Sequence, residues 1–354
     1  MGWALRFYKD IFEVLYSDVP RTRKVVDKVK RLGVITPDKV HLKNYPIDNP
    51  VTIFNPAILV QENDDVKVYA RIVLGYFTYA SAVAELTVPL TDIYTLKVMG
   101  HYPAEIVVYP SNKFDIWGVE DPRVCEIDGK LYMTYSGRTV NYFNPTVRVE
   151  RTLPVTAIYE KAWRKKFVTR LPEGLRNFLV SDKDAFILKS GSGLLIFHRP
   201  HMTDDKFYLA VSRLPKMSNR KAFTELTVEE TKVIFEKATF EEKIGWGPPP
   251  VQVGKRYLFL LHAVDRETLS YMVFATLLNL NEEISVEAVT QCYIMKPKMP
   301  YEIYGDRPYT IFPCGLQIVD DDVLISYGAA DSAVAFGKLD LSELMAMLDK
   351  NRLN

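Results

Sequence analysis

Ten polar side chains stand where apolar runs begin or end: Asn55, Arg71, Asp121, Arg123, Asp184, His198, Arg199, Lys243, His262 and Asp331. Loops and element ends on a rigid scaffold are where binding and catalytic groups usually sit. Brought together, these carboxylates, cations and an amide suit a neutral polyol lying beside an anion. Carboxylate and amide groups bond to hydroxyls, while guanidinium and ammonium groups hold the anion. The chain is also rich in aromatics, with 21 Tyr, 18 Phe and 4 Trp. Aromatic faces suit the apolar C–H faces of sugar rings, but most of these residues fit equally well on half-buried strands. Trp117 and Trp246 are open to both roles.

Residues so far apart in sequence need a scaffold that returns them to one place, and the chain repeats itself in a way that does so. A small or polar marker, an apolar strand, a polar turn and a second apolar strand recur five times. The markers Asn55, Asp121, Asp184, Pro248 and Pro313 are spaced by 66, 63, 64 and 65 residues. The turns carry Asn63-Asp64-Asp65, Asp128-Gly129, Ser190 to Gly193, Gly254-Lys255 and Asp320-Asp321-Asp322, as hairpins require. Each period has room for further strands, for example over 208–212 and 270–280. Radially repeated four-strand units are the signature of a propeller. The expected fold is therefore all-β, a five-bladed β-propeller over 46–338, with equivalent blade positions converging on one mouth. Residues 10–32 carry helical periodicity and predict an N-terminal helical extension within 1–45. Leu341 to Asp349 predicts a C-terminal helix within 339–354. The stretch 138–180, with a basic, helix-like run from Tyr159 to Arg170, reads as an insertion in the second blade.

Composition bounds the partners. The 354 residues carry 45 basic and 44 acidic side chains, a net charge of +1, which gives no whole-chain argument for nucleic acid or an anionic membrane, and neither is expected as partner. Three scattered cysteines (Cys125, Cys292, Cys314) form neither a zinc spacing nor a disulfide framework. Residues 1–10 are charged where a signal peptide would be apolar, and no apolar run reaches the ~18 residues of a membrane span. A cytoplasmic location, no metal and no organic cofactor are expected. The helical ends could seal the ring or form a homo-oligomer interface.

Gly118-Val119-Glu120-Asp121-Pro122-Arg123, followed by Ile127 to Tyr135, resembles the signature of glycoside hydrolase family 130. One further motif per blade extends the resemblance over about residues 50–335. These are Phe54-Asn55-Pro56-Ala57 with Arg71, Lys183-Asp184-Ala185 with His198-Arg199-Pro200, Lys243 to Pro250 with His262, Tyr301-Glu302, and Tyr327 to Asp331. The family comprises β-mannoside phosphorylases and some β-mannosidases on five-bladed propellers. The resemblance implies that Asp121 is the general acid, working through a substrate hydroxyl, and that Asn55, Arg71 and Asp331 hold the mannosyl unit. It further implies that Arg199, Lys243 and His262 bind phosphate, with Arg123, Asp184, Glu302 and Tyr327 as further substrate contacts. One departure stands out. Phosphorylases of the family commonly place Arg-Asn before Lys-Asp-Ala, where this chain has Ser181-Asp182.

The chemistry follows from these roles. Cleaving a glycosidic bond needs a proton for the leaving oxygen and a nucleophile at the anomeric carbon. An inverting hydrolase uses a second carboxylate to activate water. A phosphorylase dispenses with that base, because phosphate is already an anionic nucleophile that cations need only position. The expected reaction is β-mannoside plus inorganic phosphate giving α-mannose 1-phosphate. The alternatives are a β-mannosidase using Glu302 or Asp182 as base, and a sugar-binding propeller without activity.

Overall fold

A computed structural model describes residues 12–75, 80–98, 100–191, 193–216, 222–281 and 283–353. Five sheets, antiparallel except for parallel edge strands on three of them, succeed one another along the chain. The first strands of the five blades are Thr52–Val60, Val119–Ile127, Leu179–Ser190, Glu241–Trp246 (continued by Val251–Val253) and Ile311–Val319. Neighbouring first strands touch in a closed ring, so they surround the central axis while later strands lie progressively outward. This is the five-bladed propeller that the repeat predicts.

Each first hairpin folds for local reasons. In blade II the two-residue connection Asp128-Gly129 has φ of 51° and 71°, the left-handed pair that a tight hairpin turn requires. The marker residues have a second function. In every blade the ladder between first and second strands slips beside the marker or just upstream of it: at Phe54/Ala57, Glu120/Arg123, Lys183/Phe186, Glu241/Lys243 and Pro313/Gly315. Asn55, Asp121 and Asp184 sit in such bulges with φ of 50°, 54° and 55°. A bulge re-aims a side chain that a regular strand would place elsewhere. The sequence repeat is thus a repeat of bulges around one mouth.

The N-terminal segment differs from expectation. Residues 1–11 lie outside the described residues, and the helix predicted over 10–32 is replaced by extended chain. Glu13–Tyr16 adds a parallel edge strand to blade III, and Lys30–Ile35 pairs antiparallel with Ala333–Asp340. Blade V is therefore built from both ends of the chain, which ties the ring shut. The apolar residues spaced three and four apart belong to separate segments meeting different sheet edges, and Pro20 interrupts any helix between them.

The predicted insertion is also corrected. Thr152–Tyr159 and Trp163–Arg170 are the third and fourth strands of blade II. The basic run looked helical because Trp163 and Phe167 are four apart, yet both are buried between sheets with Arg164 exposed between them. Only the loop over 139–151 rises to the mouth. Helix Leu341–Asp349 forms as predicted, capped by Asp340, which accepts from the Glu343 amide at 2.9 Å, with Leu344 and Leu348 buried. Between blades III and IV, Phe186, Phe197, Trp246 and Phe259 form a fully buried aromatic cluster. The Trp246 indole donates to the Ala210 carbonyl at 3.0 Å, so Trp246 is core and not a sugar platform. Among the described residues no helix is long and apolar enough to cross a membrane.

Candidate active site

The mouth ringed by the bulges opens into a cavity of about 400 Å³, lined among others by Asn55, Arg71, Glu120, Asp121, Lys183, Tyr271, Arg307 and Asp331. The opposite end of the ring holds a larger hollow of about 940 Å³, and the groove beside Trp163 another of similar size. Neither contains any of the ten polar residues singled out from the sequence.

One wall of the mouth is organised around Asp121. Its Oδ1 accepts from Asn55 Nδ2 at 2.7 Å and from Arg71 Nη1 at 3.1 Å. Asn55 reaches this position only because blade V presents a glycine: a Cβ on Gly328 would lie 1.8 Å from Asn55 Oδ1. Arg71 stands opposite Phe54 in the ladder, with its guanidinium 4.9 Å from that ring. Beneath lies Glu120, fully buried. It accepts from Lys183 at 2.8 Å, Arg138 at 3.0 Å, Arg71 at 3.3 Å and the Tyr142 hydroxyl. Burial alone would raise the Glu120 carboxyl, but Lys183, Arg71 and Arg138 hold it well below the usual range. Asp331 faces the same cavity. Burial pushes it up to about 6, with Arg71 opposing and the Asp121 charge reinforcing the rise.

The other wall is cationic. Asp184 forms an ion pair with Arg199 Nε at 2.8 Å and a hydrogen bond with His262 Nε2 at 2.9 Å. Gly245 makes room for them, since a Cβ there would lie 2.4 Å from Asp184 Oδ2 and 2.5 Å from His262 Nε2. Burial pushes His262 down to about 4, against the pull of Asp184. His262 is therefore neutral at pH 7 and donates to Asp184, instead of acting as the cation that the sequence suggests. Half-buried Lys243 lies 5.2 Å from the Phe207 ring and 5.5 Å from the Tyr271 ring. Burial and the neighbouring Arg199 and Arg307 guanidinium groups push its ammonium down to about 7.

The structure thus gathers Asn55, Arg71, Asp121 and Asp331 on the cavity wall, with Asp184, Arg199, Lys243 and His262 in a cluster alongside. Four expected substrate contacts fall elsewhere. Asp184 is buried, held by Arg199 and His262, and does not line the cavity. Arg123 is fully buried and donates to the Gly247 carbonyl at 2.7 Å and the Asp121 carbonyl at 3.2 Å, bracing the Asp121 backbone. Glu302 is consumed by Arg31 and the Tyr327 hydroxyl, each at 2.7 Å, and by the Lys298 and Met299 amides. Glu302 and Tyr327 are both fully buried, and neither lines the cavity. His198 is likewise structural, bonded to Asp182 at 2.7 Å and Ser212 at 2.8 Å. Sequence reasoning missed Glu120 and Lys183, although each adjoins a marker inside a motif already singled out. It also missed Tyr142, Tyr271 and Arg307, which no repeat flags.

A five-bladed propeller that gathers carboxylates, an amide and cations at one mouth has the make-up of a carbohydrate-active enzyme. The chain is a member of glycoside hydrolase family 130: the family model described as β-1,4-mannooligosaccharide phosphorylase matches residues 19–350. A β-1,2-mannobiose phosphorylase of Thermoanaerobacter sp. is 28% identical over 233 residues, 64% of this chain and 68% of that protein. A β-1,4-mannooligosaccharide phosphorylase of Ruminococcus albus is 27% identical, covering 62% of each. In structure, the β-1,2-mannobiose phosphorylase of Listeria innocua, solved with β-1,2-mannobiose, superposes with a TM-score of 0.69 at 18% identity. That match covers 91% of this chain and 99% of that one.

Proposed function

We propose that this protein is an inverting glycoside phosphorylase that cleaves β-mannosides, manno-oligosaccharides among them, with inorganic phosphate to give α-mannose 1-phosphate. The observation that carries this reading is the division of the mouth into an acid wall and a cation wall. The two carboxylates considered as hydrolytic bases, Glu302 and Asp182, are committed to Arg31 and His198. In the reaction, Asp121 gives a proton to the leaving oxygen, directly or through a sugar hydroxyl, as the bond from that oxygen to C1 breaks. A phosphate oxygen attacks C1 from the opposite face. Arg199 and Lys243 offset its charge and orient it. Overall the proton of hydrogen phosphate ends on the departing alcohol. Asn55, Arg71 and Asp331 hold the mannosyl hydroxyls, and no cofactor is needed beyond the phosphate co-substrate.

A second reading, a β-mannosidase, is favoured by one feature. Asp331 is a carboxylate facing the cavity and raised to about 6, near the range of a general base. Incubating the enzyme with β-1,2- and β-1,4-mannobiose with and without phosphate separates the two. Phosphate-dependent release of mannose 1-phosphate is expected, and equal cleavage in phosphate-free buffer would refute it.

A further inference from the structure

Lys243 and Arg307 approach the same aromatic ring. The Arg307 guanidinium lies 4.6 Å, and the Lys243 ammonium 5.5 Å, from the centre of Tyr271, which borders the cavity. Other cations near the mouth have carboxylate partners: Arg199 has Asp184, while Lys183, Arg71 and Arg138 share Glu120. Among the described residues, neither Lys243 nor Arg307 forms an ion pair with a carboxylate. Two like charges held over one ring repel each other, and an anion lying between them relieves that repulsion. Arg307 is exposed at the rim and thus open to a ligand from solvent. Its loop is nevertheless anchored to the turn bearing Asp331, since the Arg307 amide donates to the Ala330 carbonyl at 3.0 Å and the Asp306 amide to Ser332 Oγ at 2.9 Å. Arg307 is thereby tied to the turn bearing Asp331 while its guanidinium shares the Tyr271 ring with Lys243.

We propose that Arg307 is a ligand for the phosphate co-substrate, completing with Lys243 and Arg199 a site that has Ser181, not an arginine, before Lys-Asp-Ala. The planar guanidinium suits two phosphate oxygens at once. The inference rests on the phosphorylase reading, and the experiment separates the two. Mannose 1-phosphate release from mannobiose is followed against inorganic phosphate for the wild-type protein, Arg307→Gln and Arg307→Lys. The phosphate KM is expected to rise about ten- to a hundredfold in Arg307→Gln, the range of one lost charge-assisted contact, and less in Arg307→Lys. The mannobiose KM should stay within about twofold, as for a contact made to the anion alone. An unchanged phosphate KM, or a rise in the mannobiose KM alone, overturns the role of Arg307 while leaving phosphorolysis intact. Wild-type cleavage indifferent to phosphate instead overturns the reading beneath it. If Arg307→Gln does not turn over, calorimetric titration with inorganic phosphate decides: weakened binding supports the proposal and equal binding refutes it.

Discussion

Asn55 and Asp121 occupy the same bulge in adjacent blades, and the amide of Asn55 donates to Oδ1 of Asp121 at 2.7 Å. Arg71 donates to the same oxygen. With Oδ1 accepting from two donors, an acidic proton on Asp121 belongs on Oδ2. The bulge thus presents one carboxyl oxygen to the protein and the other to chemistry.

Asp121→Asn keeps the shape of this side chain and removes the proton. We expect kcat to fall by about 10² to 10⁴, the usual contribution of a general acid, with the melting temperature little changed. Steady-state kinetics on mannobiose beside a thermal melt check this, and undiminished turnover would remove Asp121 from the acid role.

Gly245→Ala places a methyl group on the Asp184–His262 pair. Overpacking of this kind costs about 1–3 kcal/mol, and it should also loosen Arg199, raising the phosphate KM. Gly174→Ala, where a Cβ meets nothing within 4 Å, is the matched control. Urea unfolding of both variants tests the difference.

Lys243 should make anion binding depend on pH. Its ammonium is held down to about 7, so the cation is present below pH 7 and lost above it. Sulfate keeps a constant charge from about pH 6 to 9, unlike phosphate, and serves as the probe. Its inhibition constant against phosphate should rise as pH rises through about 7, and Lys243→Arg should flatten the profile because guanidinium does not titrate there. The folded site binds fewer protons at Lys243 than the unfolded chain between about pH 7 and 10. Its contribution to stability therefore rises with pH across that window. A pH-independent inhibition constant in the wild type would contradict the assignment.

Glu120→Gln leaves Lys183, Arg71 and Arg138 without their shared carboxylate. Breaking a buried ionic network from one side costs about 3–5 kcal/mol, read as a lower urea midpoint at pH 7. The folded carboxyl lies well below its ordinary value, so the wild-type advantage is present above about pH 4 and is lost as pH falls further. A variant as stable as the wild type at pH 7 would show that the network is redundant.

The sequence by itself determined the number of blades, because each hairpin carries its own turn residues and marker, and these are local signals. It also located Asn55 and Asp121, since a bulge that re-aims a side chain suits a small polar residue at a fixed place in the repeat, and Arg71 and Asp331, which lie on or just past the second strands of their blades. Tertiary structure decided which polar residues face the mouth. Glu302, Tyr327 and Arg123 carry the same residue types as true site groups, and only the packing of Arg31, Gly247 and Cys314 against them shows that they are structural. The N-terminal strands and the fourth strand of blade II look helical in the sequence for a related reason. Their apolar spacing is ambiguous until a sheet edge is there to accept them, and that edge comes from residues up to about 300 positions away. The cation pair on Tyr271 lies beyond local reading altogether: Lys243, Tyr271 and Arg307 share no motif and meet only because three separate segments end at one mouth.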